Sequence, residues 1–365
     1  MENGNIRKGR ALFLYSSTRD IADVRESSYC DGWRFTNGGN LNENKDTKEL
    51  RLTNNLISQT AGFHTLYNAF RNDAVIKWCE KKVFPNFNKA MDDQLTLETF
   101  LQTNDVKPMK AKNDYDKDLF EFAKKMKVEK LRAEHFNSNN DSLTSTSITS
   151  DGVIQHQGRT NPIVDQLFKI QNIISLYKNN YYNEFIRLTD WTIEHSNDKL
   201  RLQQIMNELI MTGDKSIKEV IDFMNGNGLC KKDDKFDHFV RDHEYLYFKV
   251  GSIPFSEFQG LYDYQEAYTP YSTQHKVKGL EYDHVLVLLD NGRWNMYNFE
   301  KFFKYYENTS NSVIKRTKNL FYVCCTRAKK DFIAFYRKPS KDVVNAAKEL
   351  FGEDNVINLE LDNKV

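Results

Sequence analysis

The chain has 365 residues, a length that predicts about two domains, or one domain carrying a large insertion. Hydrophobic residues make up 39% of it and charged residues 28%, which is typical of a soluble globular protein and excludes a disordered, collagen-like or disulfide-stapled chain. The 52 Lys and Arg residues nearly balance the 51 Asp and Glu residues, so the formal net charge is only +1. Any site for a polyanion must therefore be a local patch.

The cysteines and the apolar runs bear on the cellular location. Five cysteines, odd in number and without a Cys-x-x-Cys pair, argue against both a disulfide framework and a zinc site, and we predict no metal site. No stretch approaches the roughly 18 uncharged apolar residues that a membrane helix needs, and the N-terminus lacks the apolar core of a signal peptide. The sequence therefore predicts a soluble cytoplasmic protein with no membrane partner.

Strand and helix signals alternate at the start of the chain. The apolar run Ala11–Tyr15 is followed by a Ser, Thr and Asp cluster, which predicts a buried strand that feeds a helix. The segment Glu49–Thr53 alternates like a second strand, and Asn54 and Asn55 can then cap a helix over residues 56–70.

The middle of the chain is charged, rich in asparagine and strongly helical. Apolar residues recur at i, i+4, i+7 and i+11 behind Asp114, and the same spacing follows Asn161 and its neighbouring proline, a cap with proline at the first helical position. Further along, Ser216 and Glu219 form a capping box for another apolar stripe. These patterns predict an all-helical insertion over residues 81–255.

The last hundred residues return to strand and helix alternation. Val285–Asp290 and Phe332–Tyr336 are continuous apolar runs, typical of strands buried on both faces of a parallel sheet. Helical patterns fit between and after them, over residues 298–306, 315–329 and 340–351. The whole chain therefore predicts an α/β fold in which a large all-helical insertion interrupts a parallel-sheet domain.

The segment that precedes the strand at Val285 is rich in groups that bind phosphates. It holds a hydroxyl, an imidazole and two ammonium groups in one loop: Thr273, His275, Lys276 and Lys278. Gly279 beside them lets a ligand approach the backbone closely, so the loop suits a phosphate backbone. Glu281 could accept hydrogen bonds from ribose hydroxyls, as acidic residues do in other nucleotide sites. The alternative is a surface turn with solvated lysines.

A second segment, residues 316–330, places an arginine among apolar neighbours. Leu320, Val323, Cys324 and Arg327 share one face of a predicted helix, and a guanidinium on such a face needs an anionic partner. A nucleotide γ-phosphate across a domain cleft would supply one, and the arginine would then stabilise charge during phosphoryl transfer. A structural ion pair near a helix C-terminus is the alternative.

Four aromatic residues between these two segments could stack on nucleic acid bases, as in single-strand channels: Trp294, Tyr297, Tyr305 and Tyr306. Packing in a core or an interface is the simpler interpretation.

The two segments together resemble motifs V and VI of the UvrD/PcrA/Rep and RecB-like superfamily-one DNA helicases. The matching patterns are Thr-x-His-x-x-Lys-Gly-Leu-Glu-Tyr, beginning at Thr273, and Leu-Phe-Tyr-Val-x-x-Thr-Arg-Ala-Lys, beginning at Leu320. The resemblance implies a RecA-like parallel-sheet domain of the P-loop NTPase second-domain type. Residues 1–80 would be its first part, residues 81–255 the helical insertion, and residues 256–365 the rest, with both motifs.

The same resemblance implies roles for single residues. Thr273 and His275 would face single-stranded DNA, and the ammonium groups of Lys276 and Lys278 would add to the same DNA-binding loop. The nucleotide-binding residues would be Gly279, Glu281, which would hold the ribose, and Arg327. Arg327 would also be catalytic, as the arginine finger.

Several parts of a whole helicase are missing from the sequence. It contains no Gly-x-x-x-x-Gly-Lys-[Ser/Thr] phosphate loop and no Asp-Glu dipeptide, and Ile57 stands where the motif IV arginine is expected. The chain thus resembles the C-terminal half alone. We expect ATP to be shared with a partner domain, Mg²⁺ to bind only through that partner, and no ATP hydrolysis by this chain by itself.

The expected partners follow from the same resemblance. They are single-stranded or partly duplex DNA, a helicase half that carries the Walker A and Walker B motifs, and a nuclease or other protein of DNA repair or defence. The alternative is a non-catalytic remnant of helicase origin, a regulatory module that binds DNA or a protein.

Overall fold

The computed structural model describes residues 9–35, 46–71, 73–138, 146–148, 154–156, 161–189, 191–210, 215–266, 268–292, 294–307 and 310–361. In chain order its strands and helices are β1 (Arg10–Ser16), α1 (Ile21–Glu26), β2 (Thr47–Arg51), α2 (Asn54–Thr60), α3 (His64–Arg71), α4 (Ala74–Lys82), α5 (Lys89–Asp92), α6 (Leu97–Thr103), α7 (Asp114–Lys124), α8 (Val128–Ser138), β3 (Thr146–Ile148), β4 (Ile154–His156), α9 (Pro162–Lys178), α10 (Tyr182–Thr189), α11 (Ser196–Ile210), α12 (Ile217–Gly226), α13 (Asp234–Asp242), α14 (Glu244–Gly251), α15 (Phe255–Gln265), β5 (Tyr271–Thr273), β6 (Tyr282–Leu288), α16 (Phe299–Lys304), α17 (Ser312–Cys325), β7 (Ala328–Arg337), α18 (Lys341–Phe351) and β8 (Val356–Asn358).

The chain forms two compact units. Residues 1–61 and 263–365 make the sheet unit, and residues 62–262 make the helical unit. The helical unit starts before the predicted residue 81, because Val75 and Cys79 of α4 are buried in its apolar core beside Leu119. It also extends beyond the predicted residue 255, since Phe258 of α15 is fully buried and its ring meets that of Phe168 at 5.2 Å.

The sheet unit is built on six parallel strands in the order β5-β2-β6-β7-β1-β8, which confirms the predicted α/β class. Successive residues of one strand enter opposite cores: Phe332 and Ala334 pack with the cluster on one face, and Ile333 and Phe335 with the cluster on the other. Both faces are therefore apolar, and this explains the continuous hydrophobic run in β7.

The region of β2 differs from its prediction in three ways. The strand starts and ends two residues earlier than Glu49–Thr53, because Thr47 pairs with His284 of β6. Thr53 is the residue that caps α2, with its hydroxyl accepting from the Leu56 amide at 3.4 Å, whereas Asn54 is already helical. The helix predicted over 56–70 is broken in two at Gly62, whose φ of +75° ends the first piece.

All five residues of β2 are buried, three of them charged. The Glu49 carboxylate is fully buried between Nε of Arg51 and Nε of Arg25, each at 2.7 Å. Lys48 donates from Nζ to the Thr269 carbonyl at 3.0 Å, and burial lowers its pKa to about 8. These charges are therefore held inside the sheet unit by specific partners.

The predicted helix caps of the helical unit are confirmed. Asn161 caps α9, with its side chain accepting from the Ile163 amide at 2.9 Å and proline at the first helical turn. At α12 the Ser216 hydroxyl accepts from the Glu219 amide and the Glu219 carboxylate from the Ser216 amide, a complete capping box. Over the described ranges, no helix combines the length and the apolar character that crossing a membrane requires.

Candidate functional site

The segment between β5 and β6, which the sequence predicts to bind phosphates, runs from one edge of the sheet to the other. Thr273 ends β5 beside Arg51, the last residue of β2, so it lies at the carboxyl edge, where the strands end. The next strand starts at the opposite, amino edge, where His284 pairs with Thr47, the first residue of β2. The predicted DNA-binding residues at the start of the segment and the predicted nucleotide-binding residues at its end are thus separated.

Arg327 lies at the amino edge together with the end of that segment. The helix predicted over 315–329 ends at Cys325, and Arg327 follows in the turn before β7 instead of on a helical face. The turn is bonded to the sheet, because the Tyr282 amide of β6 donates to the Arg327 carbonyl at 2.8 Å and Tyr282 pairs with Ala328. Motifs V and VI therefore meet through backbone bonds.

The Arg327 guanidinium is held by neutral oxygen atoms. Nη1 donates to the Leu280 carbonyl at 2.9 Å, Nε to the Val323 carbonyl at 3.2 Å, and Nη2 to the Thr326 hydroxyl at 3.0 Å. Among the described residues no carboxylate forms an ion pair with it. A guanidinium has five N–H groups, so these three bonds leave one donor on each terminal nitrogen, a pair suited to two oxygens of one anion.

The other predicted nucleotide-binding residues lie beside this arginine along the chain. Gly279 has a φ of +83°, a conformation that L side chains rarely adopt, and the space around a Cβ there is open. The backbone turn therefore explains why a glycine stands at position 279. Glu281 is exposed and directly precedes Tyr282, the first residue of β6, at the amino edge. The carboxylate and the guanidinium can thus both reach a ligand from solvent.

At the carboxyl edge, Thr273 and His275 are tied into the turn. Thr273 is buried, and its hydroxyl accepts from the Lys276 amide at 3.3 Å. Nε2 of His275 lies 2.9 Å from the Tyr297 hydroxyl. Burial lowers the pKa of His275, and the nearby positive charge of Lys278 lowers it further, so the imidazole is neutral near pH 7.

The two lysines of the segment differ in their surroundings. Lys276 is partly buried, with Nζ 5.2 Å from the centre of the Tyr264 ring, and burial lowers its pKa. Lys278 is exposed. The ammonium of Lys278 is therefore the more accessible of the two to a phosphate backbone.

For two neighbours of His275, Tyr297 and Trp294, the sequence favoured packing over base stacking. The ring centre of His275 lies 5.4 Å from that of Tyr297 and 6.1 Å from that of Trp294, and the last two rings are 5.0 Å apart. Both follow β6, whose carboxyl end adjoins that of β5 across β2. Their position directly after a predicted parallel strand was the available signal.

The described part of the chain contains no group of three or more His, Cys, Asp and Glu side chains arranged as ligands for a metal ion. The charges gathered at the amino edge are a guanidinium and a carboxylate, from Arg327 and Glu281. This arrangement suits an anionic ligand with hydroxyl groups rather than a bare cation.

Comparison with known proteins identifies the family. The model of the UvrD-like helicase C-terminal domain matches residues 41–338, which is most of the chain. The chain therefore belongs to the UvrD-like helicase C-terminal domain family, and it has a helicase-related role. The Gabija protein GajB of Bacillus cereus (strain HuB5-5) is 24% identical over 369 aligned positions, which cover 94% of this chain and 46% of that relative. The chain thus spans less than half the length of this relative.

Proposed function

We propose that this chain is the second motor half of an ATP-dependent UvrD-like DNA helicase. It supplies Arg327 as the arginine finger to a nucleoside triphosphate whose phosphates are cradled elsewhere, and it forms part of the single-strand track. The phosphate loop and the acidic Mg²⁺ motif are missing from the sequence, so a region with Walker A and Walker B motifs must act with it, in cis or in trans. Mg²⁺ binds only through that region.

The free donors of Arg327 are the observation that carries this proposal. Negative charge on the γ-phosphoryl oxygens and the leaving oxygen must be stabilised as the phosphoryl group is transferred, and a guanidinium fixed in advance does this without reorganisation. Three neutral acceptors orient Arg327 and leave its positive charge uncompensated among the described residues. Glu281 accepts from the ribose hydroxyls, and the Gly279 turn lies against the nucleotide.

The carboxyl edge serves the DNA in this proposal. Thr273 and His275 face a single strand, and Lys276 and Lys278 add positive charge for its phosphates. The neutral imidazole of His275 contributes hydrogen bonding and ring contact, whereas the exposed Lys278 contributes the salt-dependent share of the affinity. Such a motor would work in DNA repair or defence, together with a nuclease or another protein of that process.

ATP turnover tests the proposal directly. The purified chain with single-stranded DNA should show none, and adding a Walker A-bearing half of a UvrD-like helicase should restore it. Arg327→Ala should then lower turnover by about 10³- to 10⁵-fold, the range known for arginine fingers. DNA binding by the variant should stay near that of the unaltered chain.

Arg337→Ala is the matched control, because it removes the same kind of side chain from the exposed last residue of β7, the strand that Arg327 precedes at its other end. It should leave turnover unchanged. Robust hydrolysis by the chain alone, or equal effects of the two substitutions in the reconstituted enzyme, would refute the proposal.

A further inference from the structure

The helical unit contains a cavity of about 630 Å³ that belongs to none of the sites predicted from the sequence. Its walls come from α3, α4, α7, α14 and the loop between α6 and α7, all within residues 62–262. Pockets that hold small molecules typically measure about 300 to 1,000 Å³. The cavity is therefore large enough for an organic molecule of nucleotide size.

The most deeply buried charges that line the cavity hold each other. Nζ of Lys249 donates to the Asp73 carboxylate at 2.9 Å, and the two side chains are 5% and 10% exposed. The Tyr245 hydroxyl and the Ile76 amide also donate to this carboxylate, each at 3.0 Å. The Tyr115 hydroxyl donates to the Lys249 carbonyl at 3.0 Å. These bonds join α4, α7 and α14 before any ligand arrives, which lowers the entropy lost on binding.

Four exposed lysines line the same cavity: Lys77, Lys81, Lys110 and Lys112. The first two are one helical turn apart on α4, and the last two lie in the loop before α7, so the ammonium groups come from two walls. Asp73 and Lys249 neutralise each other. Among the described residues that line the cavity, Asp116 is the one remaining carboxylate, and the excess of ammonium groups attracts an anion.

An aromatic ring lies beside these lysines. One face of α4 lines the cavity, with residues that recur at i, i+3, i+4 and i+7: Ala74, Lys77, Trp78 and Lys81. Trp78 is partly buried, and its ring meets that of Phe120 edge-on at 5.3 Å, which fixes its position. An indole next to ammonium groups suits a ligand that carries both a flat ring and a phosphate.

Asp116 adds a hydrogen-bond acceptor on the wall formed by α7. Burial raises the pKa of Asp116, and the negative charge of Asp73 raises it further, against the positive charge of Lys112. A ligand that donates hydrogen bonds to this carboxylate stabilises its charged form. Ribose hydroxyls and the amino groups of bases are such donors.

We propose that this cavity is a binding site for a free nucleoside phosphate. The phosphate lies between the lysines of α4 and those of the loop, the base lies against the Trp78 ring, and the ribose hydroxyls donate to Asp116. A space bounded by four helices and a loop fits one nucleotide better than a continuous strand. The site belongs to the helical unit, whereas Glu281 and Arg327 belong to the sheet unit, so it does not depend on the proposed function.

Calorimetric titration of the full chain with AMP tests the site. Lys81→Ala combined with Lys110→Ala removes one ammonium group from each wall and should weaken AMP binding by roughly 10- to 100-fold, the effect of losing a charge-assisted hydrogen bond. Lys117→Ala combined with Lys125→Ala is the matched control, because it removes two exposed lysines of the same unit that do not line the cavity. This control should bind AMP normally.

A second control separates the cavity from the proposed nucleotide site of the sheet unit. AMP lacks the γ-phosphate that Arg327 would hold, and Glu281→Ala combined with Arg327→Ala should leave AMP binding unchanged. Unchanged circular dichroism and thermal unfolding would show that each variant still folds.

A change of ligand tests the contact with the base. AMP should bind more tightly than ribose 5-phosphate by roughly 5- to 100-fold, the effect of one base–aromatic stack. Trp78→Leu keeps an apolar side chain but no ring, and it should bring the two affinities together.

Four results would overturn the proposal. They are no binding of AMP at millimolar concentration, equal binding by the variant that lacks Lys81 and Lys110, an equal loss in the variant that lacks Lys117 and Lys125, and equal affinities of the unaltered chain for AMP and ribose 5-phosphate. Loss of AMP binding in the variant without Glu281 and Arg327 would instead assign the nucleotide to the sheet unit. If duplex DNA displaces AMP and also depends on Lys81 and Lys110, the lysines serve a DNA backbone and the site for a free nucleotide is refuted.

Discussion

Replacing Glu49 by glutamine removes the negative charge that two arginines share inside the sheet unit. The Glu49 carboxylate is fully buried, with one oxygen 2.7 Å from Nε of Arg25 and the other 2.7 Å from Nε of Arg51. Glutamine has nearly the same size, so the change opens no cavity. The expected loss of stability therefore comes from charge and hydrogen bonding alone.

The size of the expected loss of stability depends on the few interactions that Arg51 keeps without the Glu49 charge. Its side chain is 5% exposed, Nη1 donates to the Leu56 carbonyl at 2.7 Å, and Nη2 has no hydrogen-bond partner among the residues that the structure describes. Breaking a buried ion pair from one side destabilises a protein by about 3 to 5 kcal/mol, because the other charge stays buried. Arg25 is 18% exposed and lies 5.5 Å from the Tyr271 ring centre, so it contributes less.

Urea unfolding of the sheet unit is the assay. The chain forms two compact units, so the signal must come from one of them. Trp33 and Trp294 belong to the sheet unit, and Trp78 and Trp191 to the helical unit. In a background with Trp78→Phe and Trp191→Phe, tryptophan fluorescence reports the sheet unit, and Glu49→Gln should lower its free energy of unfolding by about 3 to 5 kcal/mol.

Two further variants make the result decisive. Glu353→Gln removes a carboxylate that is 81% exposed and paired with Lys348 at 2.9 Å, and it should not shift the transition measurably. Combining Glu49→Gln with Arg51→Met should be more stable than Glu49→Gln alone, because the unpaired charge is gone. If Glu49→Gln unfolds like the unaltered chain or like Glu353→Gln, the explanation from buried charge is wrong.

The remaining predictions concern Lys48 and Gly292. Burial lowers the pKa of Lys48 from 10.5 to about 8, so between pH 8 and 10.5 the unfolded chain binds more protons, and stability rises with pH across that window. Relative to Lys48→Met, the unaltered chain should gain about 3 kcal/mol in urea unfolding between pH 7.5 and 10.5. Gly292 has a φ of +57°, and a Cβ there would lie 2.9 Å from the Thr53 hydroxyl. Gly292→Ala should therefore destabilise the sheet unit by about 1 to 3 kcal/mol. Gly32→Ala, with a φ of +76° but no atom of the described residues within 4 Å of an added Cβ, should cost less in the same assay.

Much of the fold could be predicted because its strongest signals are local. A helix cap such as Asn161 or the pair Ser216 and Glu219 acts within one turn, so the residues that matter are adjacent in sequence. The long apolar run of β7 is also self-evident, since both of its faces are buried. Short strands carry little pattern, and β5 and β8, of three residues each, are defined by pairing with distant strands.

The burial of the charged side chains of β2 could not be predicted from the sequence for a related reason. An alternating run with lysine, glutamate and arginine is ordinarily a strand with one solvent-exposed face. Here Glu49 can be buried because Arg25, on a separate helix, and Arg51 both donate to its carboxylate. Lys48 can be buried because its ammonium donates to the Thr269 carbonyl. Burial of a charge depends on partners that only the tertiary structure supplies.

The candidate site shows the same division between local pattern and long-range placement. The resemblance to motifs V and VI singled out His275, Glu281 and Arg327 without any structure and assigned them to two ligands, but it did not show where in the sheet each residue lies. In a parallel sheet, a segment that leaves one strand and enters another must return from the carboxyl edge to the amino edge. Once β5 is recognised as a strand that ends at Thr273, the six residues between Thr273 and the Leu280 carbonyl that holds Arg327 become this return path. The predicted DNA-binding and nucleotide-binding residues can therefore be close in sequence and still lie at opposite edges of the sheet.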